Sequence, residues 1–220
     1  MSDTFDSIFE KVGEIQLPEF SGVRVMMLPV IIGDVESLPD FVENYKELFR
    51  AMCAAKQALQ HHGEVGYLTI DEKIVEPEST HRRSGLHVDG VFNGGVGGWG
   101  GGFTGGSWGS VGNGMLTVSN PAGCRAYRKT FEGWPGMDGE CDHLVDQCTE
   151  DTATLFEPNV LYWVDGLCVH ESVPMTTRTP RQFVRLSLPS EGPWFEGYTE
   201  NPLGVKPTGI ILPPRVFMEA

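Results

Sequence analysis

Residues 160–171 have the sequence VLYWVDGLCVHE, and this stretch decides which fold we expect. Its first five residues are apolar and rich in β-branched and aromatic side chains, which indicates a buried strand. Asp165-Gly166 is a turn dipeptide. Residues 168–170 then predict a short second strand that ends at His170. We therefore expect a hairpin that holds this histidine on a stiff support.

Similar short apolar runs occur on both sides of this stretch, with Gly, Pro and Asn between them. The predicted strands are 25–32, 65–70, 115–119, 126–131, 154–156, 160–164, 168–170 and 183–188. Such a series predicts a mainly β protein, α+β in class, whose strands form a sandwich or a barrel.

One long helix is predicted in the N-terminal third, from residue 39 to residue 62. Its apolar residues recur at alternating spacings of four and three, which places them in one stripe on a helix. The stripe consists of Phe41, Tyr45, Leu48, Met52, Ala55 and Leu59. Ser37 is a candidate cap and Gly63 a candidate stop signal. We expect this helix to cover the outer face of a sheet.

Three residues are candidate metal ligands. His87 and Asp89 lie on either side of Val88, so in an extended segment they share one face. His170 would supply a third ligand. Two imidazoles and one carboxylate that leave coordination positions open suit non-haem Fe(II), whereas zinc more often takes a closed or nearly closed tetrahedron. His-x-Asp alone is a weak motif, and a hydrogen-bonded surface pair is its alternative interpretation.

Arg181 and Arg185 lie in the apolar run 181–188, RQFVRLSL. In a strand they face the same side, together with Phe183 between them. An arginine that faces the interior is costly unless it meets an anion, and a guanidinium can bind a carboxylate through two parallel hydrogen bonds. The two arginines are therefore candidate anion ligands. The alternative is a half-exposed strand whose arginines face water.

The order of these motifs resembles the Fe(II)/2-oxoglutarate-dependent dioxygenase superfamily, over about residues 65–190. The resemblance implies a jelly roll, also called a double-stranded β-helix, in which His87, Asp89 and His170 bind Fe(II). It also implies that the distal carboxylate of the cosubstrate 2-oxoglutarate binds Arg181, our first choice, with Arg185 sharing or orienting that contact.

The activity that the resemblance implies is an O2-dependent hydroxylation, with release of succinate and CO2. The expected substrate is a small molecule or an amino-acid-like compound, and a protein or peptide side chain is the alternative. Desaturation or ring closure would leave the same signature. Asp89 argues against halogenation, which needs a small residue at that position. A cupin-type metal enzyme without 2-oxoglutarate and a noncatalytic binding barrel also remain open.

A glycine-rich segment directly follows Asp89. Between residues 90 and 114, 13 of 25 residues are glycine, interspersed with Phe92, Trp99, Phe103 and Trp108. We interpret it as an insertion that is either a lid over the site or a surface loop.

The expected organisation is one oxygenase domain over 1–220, with an N-terminal strand and helix (1–64), a jelly-roll core (65–190) and an extended tail (191–220).

The composition argues against two classes of partner, nucleic acids and membranes. A net charge of −14 argues against a nucleic acid held by phosphate contacts, although Arg82-Arg83 is a compact basic pair near the candidate site. That pair could meet an anionic substrate or simply face solvent. No apolar run is long enough to span a membrane. Five scattered cysteines without a Cys-x-x-Cys pair favour a reducing, cytoplasmic setting. Cys141, His143 and Cys148 could be imagined as zinc ligands, but the sequence offers no convincing fourth ligand.

Overall fold

The computed structural model describes residues 4–89, 114–136, 139–189, 194–208 and 211–212. These residues form a mainly β structure with few helices and several antiparallel sheets. The strands are β1 (Thr4–Ser7), β2 (Phe9–Glu14), β3 (Arg24–Ile31), β4 (Val65–Val75), β5 (Met115–Asn120), β6 (Cys124–Tyr127), β7 (Lys129–Glu132), β8 (Ala153–Leu155), β9 (Val160–Val164), β10 (His170–Ser172), β11 (Thr179–Ser187), β12 (Trp194–Phe195) and β13 (Ile211–Leu212). The helices are α1 (Lys46–Cys53), α2 (Lys56–Leu59) and 3-10 helices at Val35–Ser37, Asp40–Tyr45 and Asp142–Gln147.

The largest sheet has six antiparallel strands in the order β2-β9-β5-β11-β4-β3. A smaller antiparallel sheet has the order β10-β6-β8. Strands β1 and β7 form an antiparallel pair, and β12 and β13 form a parallel one. The predicted strand at 25–32 is present as β3, and the predicted strand at 183–188 is part of the longer β11.

The two faces of the six-stranded sheet differ in chemistry, and β11 shows this most clearly. Successive side chains of a strand point to opposite faces. Val184 and Leu186 pack in the large core cluster that also contains Tyr45, Leu48 and Met52 of the helical region. The alternate residues of β11 include Arg181, Phe183 and Arg185, and they line a cavity on the other face. The helices therefore cover the face that carries Val184 and Leu186, and the two arginines of β11 lie on the other face.

The prediction of one continuous helix from residue 39 to residue 62 is wrong. The segment is a 3-10 helix followed by α1 and α2, and Ala55 between the last two has an extended backbone. Phe41 and Leu59, at the two ends of the predicted stripe, are 49% and 56% exposed. Beyond the break at Ala55, Ala58 packs in the core in place of Leu59, so tertiary packing overrides the periodicity.

The two predicted boundary signals of this helix have different outcomes. Ser37 is not its cap, because Ser37 ends the preceding 3-10 helix and its hydroxyl donates to the carbonyl of Asp34 at 2.6 Å. Gly63 does follow the last helical turn. Its φ of +88° lies in the left-handed region, which glycine adopts without steric cost.

The predicted hairpin at residues 160–170 is also wrong, although its turn is present. Asp165 accepts a hydrogen bond from the amide of Leu167 at 2.8 Å, and the amide of Cys168 donates to the Asp165 carbonyl at 3.0 Å. The two strands do not pair with each other. Strand β9 belongs to the six-stranded sheet and β10 to the three-stranded sheet, so the turn carries the chain from one sheet to the other. The predicted strand at 126–131 likewise divides into β6 and β7, which lie in different sheets.

A buried carboxylate anchors the helical layer to the large sheet. Glu72 on β4 accepts hydrogen bonds from the Tyr45 hydroxyl, from the Gln182 amide at 2.7 Å and from the backbone amides of Ser21 and Val23 at 2.8 and 2.9 Å. Burial acts to raise the pKa of Glu72, but these donors outweigh burial and lower the pKa.

We therefore expect acid to destabilise the fold in part through Glu72. Because its pKa is lower in the folded chain, its contribution is present above the unfolded value, about 4.3, and is lost as pH falls through the folded value. The free energy of unfolding, measured by urea titration from pH 7 to pH 3, should fall less steeply for Glu72→Gln than for the wild type. The exposed Glu19→Gln variant serves as the control. Equal slopes in all three proteins would contradict this account.

Several predictions fall on parts of the chain outside the described residues. The glycine-rich insertion is one, since only Gly114 of it is described, and so the lid prediction is not addressed. Residues 191–193, 209–210 and 213–220 of the predicted tail also lie outside the described residues. Among the described residues, no helix is long and apolar enough to cross a membrane.

Candidate metal centre and its cavity

Backbone pairing brings two of the candidate metal ligands together. His87 and His170 are antiparallel partners, and each amide donates to the carbonyl of the other at 2.9 Å. Their rings lie on the same side, with centroids 4.4 Å apart. Residues 87–89 were expected to form a strand, but His87 is an isolated bridge residue that pairs with His170 and with Glu140. Val88 packs in a core cluster, and although all three residues line the cavity, only His87 and Asp89 supply ligand atoms close to those of His170.

Asp89 completes a group that could hold a metal ion. One ligand atom from each of His87, Asp89 and His170 lies within 4.8 Å of the others, and His170 Nε2 is 3.6 Å from Asp89 Oδ2. Ligand atoms about 2.1 Å from one ion lie at most about 4.2 Å apart, so small side-chain rotations suffice to bind it. Within the described ranges, no other three His, Cys, Asp or Glu side chains come together in this way. Cys141, His143 and Cys148 do not form such a group.

Both imidazoles are oriented by backbone carbonyls. His87 Nδ1 lies 2.8 Å from the Gly85 carbonyl, and His170 Nδ1 lies 2.9 Å from the Cys168 carbonyl. A carbonyl only accepts, so each Nδ1 carries a hydrogen, and in a neutral imidazole with that hydrogen the lone pair is on Nε2. This is the usual way in which a protein fixes the tautomer and the ring orientation of a metal-binding histidine.

The electrostatics of the group favour the forms that bind metals. Burial, and then the neighbouring His170, lower the pKa of His87 to about 4, so this imidazole is neutral at pH 7. For Asp89, burial alone would raise the pKa, but His170, Arg185 and His87 outweigh burial and lower the pKa to about 2. A neutral imidazole and an ionised carboxylate are the ligands that a divalent cation requires.

Arg185 lies against one of the candidate ligands. Its Nη1 is 3.4 Å from Asp89 Oδ2, and its guanidinium carbon lies 5.9 Å from the centre of the Phe183 ring. It is opposite Thr117 on β5 and Thr69 on β4, in the middle of the sheet. The sequence predicted that Arg185 shares or orients the contact of Arg181 with the cosubstrate, and this stays a prediction. The structure instead places Arg185 against Asp89, where it can hold that carboxylate in position.

We expect Arg185→Gln to weaken metal binding without abolishing it. Loss of a group that orients a ligand typically costs about 10- to 100-fold in metal affinity. Titration of the apoprotein with Co(II) would measure this change. Arg178→Gln is a matched control, because Arg178 is exposed and pairs with Glu76 at 3.2 Å. Unchanged affinity in Arg185→Gln would show that Asp89 needs no such support.

Arg181 occupies a different environment from Arg185. It is 1% exposed, its Nε donates to the Pro121 carbonyl at 3.3 Å, and its buried Nη1 has no hydrogen-bond partner among the described residues. Gly123 makes room for it, since a Cβ at that position would lie 2.6 Å from the guanidinium nitrogens. Burial lowers the pKa of Arg181 to about 10, so it stays charged at pH 7. A buried charge with an unused donor is a ready site for an anion.

The three candidate ligands and both arginines line one cavity of about 230 Å³. Its walls come from the six-stranded sheet, from the three-stranded sheet and from the segment around His87. The other lining residues are Arg82, Arg83, Val88, Met115, Thr117, Gly123, Cys124, Phe156, Val164, Ser172 and Phe183. A cavity of this size accommodates small organic molecules next to the candidate metal position.

Several residues with polar side chains are placed elsewhere. Thr69 accepts from the amide of Met27, and the Tyr127 hydroxyl donates to Glu171 at 2.8 Å. His81 lies 3.2 Å from Asp71, and His143 is exposed. These groups are used in structural contacts rather than in the cavity.

Sequence reasoning missed the cavity residues on β5 and at the start of β6. Met115 and Thr117 line the cavity because β5 pairs with β11 in the register that sets Thr117 opposite Arg185. That long-range pairing leaves no local signal. Cys124 also lines the cavity, but burial raises its pKa to about 12, so it is a neutral thiol and a poor additional ligand.

Comparison of the chain with protein-family models, with curated proteins and with solved structures found no match.

Proposed function

We propose that this protein is an Fe(II)- and 2-oxoglutarate-dependent dioxygenase that hydroxylates a C–H bond of a small molecule. The observation that carries the proposal is the placement of Arg181. Its buried guanidinium, with a donor that has no partner in the described part of the chain, lines the same cavity as His87, Asp89 and His170. A metal site alone would need no such group.

The same argument supports the finer description of the fold as a jelly roll. His170 belongs to the three-stranded sheet and His87 pairs with it, while Arg181 and Arg185 belong to the six-stranded sheet. The cavity thus lies between two antiparallel sheets, as in a double-stranded β-helix. All five cysteines are free, which supports the proposed reducing, cytoplasmic setting.

The donor set fits iron better than zinc. Two histidines and one carboxylate, with no fourth protein ligand among the described residues, leave positions free for a chelating cosubstrate and O2. A closed structural zinc site would recruit a fourth ligand such as a thiolate, and the neutral Cys124 does not supply one. A cupin-type metal enzyme shares the donor set but has no use for the buried Arg181.

The three candidate ligands and the two arginines of β11 have separate parts in the proposed reaction. His87, Asp89 and His170 hold the iron, and Arg185 keeps Asp89 in position. Arg181 binds the distal carboxylate of 2-oxoglutarate and thereby fixes its orientation.

The iron and its cosubstrate supply the oxidative decarboxylation and the attack on the substrate C–H bond, which amino-acid side chains cannot perform. Met115, Phe156 and Val164 line the cavity with apolar surface and exclude water from it.

The proposal is tested by measuring succinate. Protein reconstituted with Fe(II) is incubated with 2-oxoglutarate and O2 in the presence of a panel of amino acids, peptides and small metabolites. We expect succinate release that requires O2 and increases with a member of the panel, and none from Asp89→Ala. A protein that binds metal but neither binds nor consumes 2-oxoglutarate would contradict the proposed function.

A further inference from the structure

Among the residues that the structure describes, four arginines and a single carboxylate line the cavity. The arginines are Arg82, Arg83, Arg181 and Arg185, and the carboxylate is Asp89. The chain as a whole carries a net charge of −14. A concentration of positive charge in one cleft of an acidic protein attracts anions to that cleft. A bound divalent metal would add to the excess, and one dianionic cosubstrate would not cancel it.

Arg82 is held in place rather than left free in solvent. Its Nη1 lies 3.0 Å from Asp71 Oδ2, its guanidinium carbon lies 5.1 Å from the centre of the Phe183 ring, and its side chain is 23% exposed. Asp71 is buried and also pairs with Arg24 at 3.1 Å. One carboxylate therefore serves two guanidinium groups, and the charge of Arg82 is only partly neutralised. A pre-oriented guanidinium loses little entropy when it binds an anion.

Arg83 adds a second charge at the opening of the cavity, since it is exposed and lines the cavity wall. Arg82 and Arg83 therefore both add positive charge to the cavity wall outside the candidate metal site.

We propose that Arg82 and Arg83 form a second anion site, which binds a carboxylate or phosphate group of the primary substrate. This inference rests on the proposed function, in which Arg181 binds the cosubstrate and Arg185 supports Asp89. Arg82 and Arg83 are then the other two arginines among the described residues of the cavity. The substrate class is a small organic anion, held at its charged end by the two arginines with its apolar part directed along the cavity.

The test measures binding rather than turnover. Protein loaded with Mn(II) and saturated with 2-oxoglutarate is titrated calorimetrically with hexanoate, hexyl phosphate and neutral hexan-1-ol. We expect at least one anion to bind more tightly than hexan-1-ol, and the preferred anion identifies the group that the site accepts. In Arg82→Gln/Arg83→Gln, the affinity for that anion should fall at least about tenfold, because charge-assisted hydrogen bonds are lost. Equal affinity for all three probes, or an unchanged double variant, would overturn the proposal.

Further variants separate this site from other effects. Arg50→Gln/Arg178→Gln removes the same total charge from two exposed ion pairs and should leave anion binding unchanged. Arg83→Gln alone tests the site without disturbing the contact between Arg82 and Asp71, and it should weaken binding by a smaller factor.

Titration of each protein with 2-oxoglutarate, and of metal-loaded protein with the anions alone, distinguishes the two proposals. A chain that fails to bind 2-oxoglutarate but binds the anion through Arg82 and Arg83 would contradict the proposed function and retain the second site.

Discussion

Replacing His170 by alanine removes tight metal binding, and this is the largest effect that we expect from a single substitution. His170 is one of three ligands, and its backbone also positions His87 through paired hydrogen bonds. Loss of a residue that merely orients a ligand costs up to about 100-fold in affinity, so loss of the ligand itself should cost more. Titration of the apoprotein with Co(II), followed by visible absorption, gives the dissociation constant.

The His143→Ala variant is the matched control for this experiment. His143 is exposed and contacts the Trp134 carbonyl at 3.0 Å, so its removal should leave the affinity unchanged. Circular dichroism of both variants establishes that the fold is retained. If His170→Ala bound Co(II) as tightly as the wild type, the metal would lie elsewhere and the proposed site would be wrong.

The second large effect is expected at Arg181. Truncation of one partner of a buried, hydrogen-bonded charge pair costs about 2 kcal/mol or more, which corresponds to at least about 30-fold in affinity. Arg181→Met should therefore weaken 2-oxoglutarate binding to the Mn(II)-loaded protein by that factor or more. Calorimetric titration measures it directly.

The same substitution should not reduce the stability of the unliganded protein, in contrast to its effect on 2-oxoglutarate binding. In the absence of a cosubstrate, Arg181 is a buried charge with an unpartnered Nη1 in the described structure, and methionine removes that cost. The unliganded Arg181→Met variant should be as stable as the wild type, or more stable, in urea denaturation. A structural role for Arg181 predicts the reverse, namely a marked loss of stability with little change in 2-oxoglutarate affinity.

The sequence predicted the elements of this protein better than their pairing. The strands at 65–70, 115–119 and 160–164 follow from local apolar and β-branched runs, and each is present within β4, β5 or β9. The hairpin at Asp165-Gly166 was wrong because a turn dipeptide specifies that the chain bends, not which partner the next strand finds. Partner choice depends on burial across the whole sheet, which a local pattern does not record.

The candidate site shows the same division. His87, Asp89, His170 and Arg181 could be proposed because their chemical types and order carry information along the chain. The sequence could not predict that Arg181 and Arg185 have different surroundings, since both lie on one face of the same strand. Only the approach of Asp89 to Arg185, and the space that Gly123 leaves beside Arg181, separates their roles.

The most direct test of the account is an anaerobic titration of the apoprotein with Fe(II) and 2-oxoglutarate, followed by visible absorption. A cosubstrate that chelates iron through its 2-oxo and carboxylate groups should produce a weak charge-transfer band. We expect this band in the wild type, its loss in His87→Ala, and its appearance only at much higher 2-oxoglutarate concentrations in Arg181→Met. Absence of the band in the wild type, or a titration unchanged by Arg181→Met, would contradict the proposed dioxygenase site.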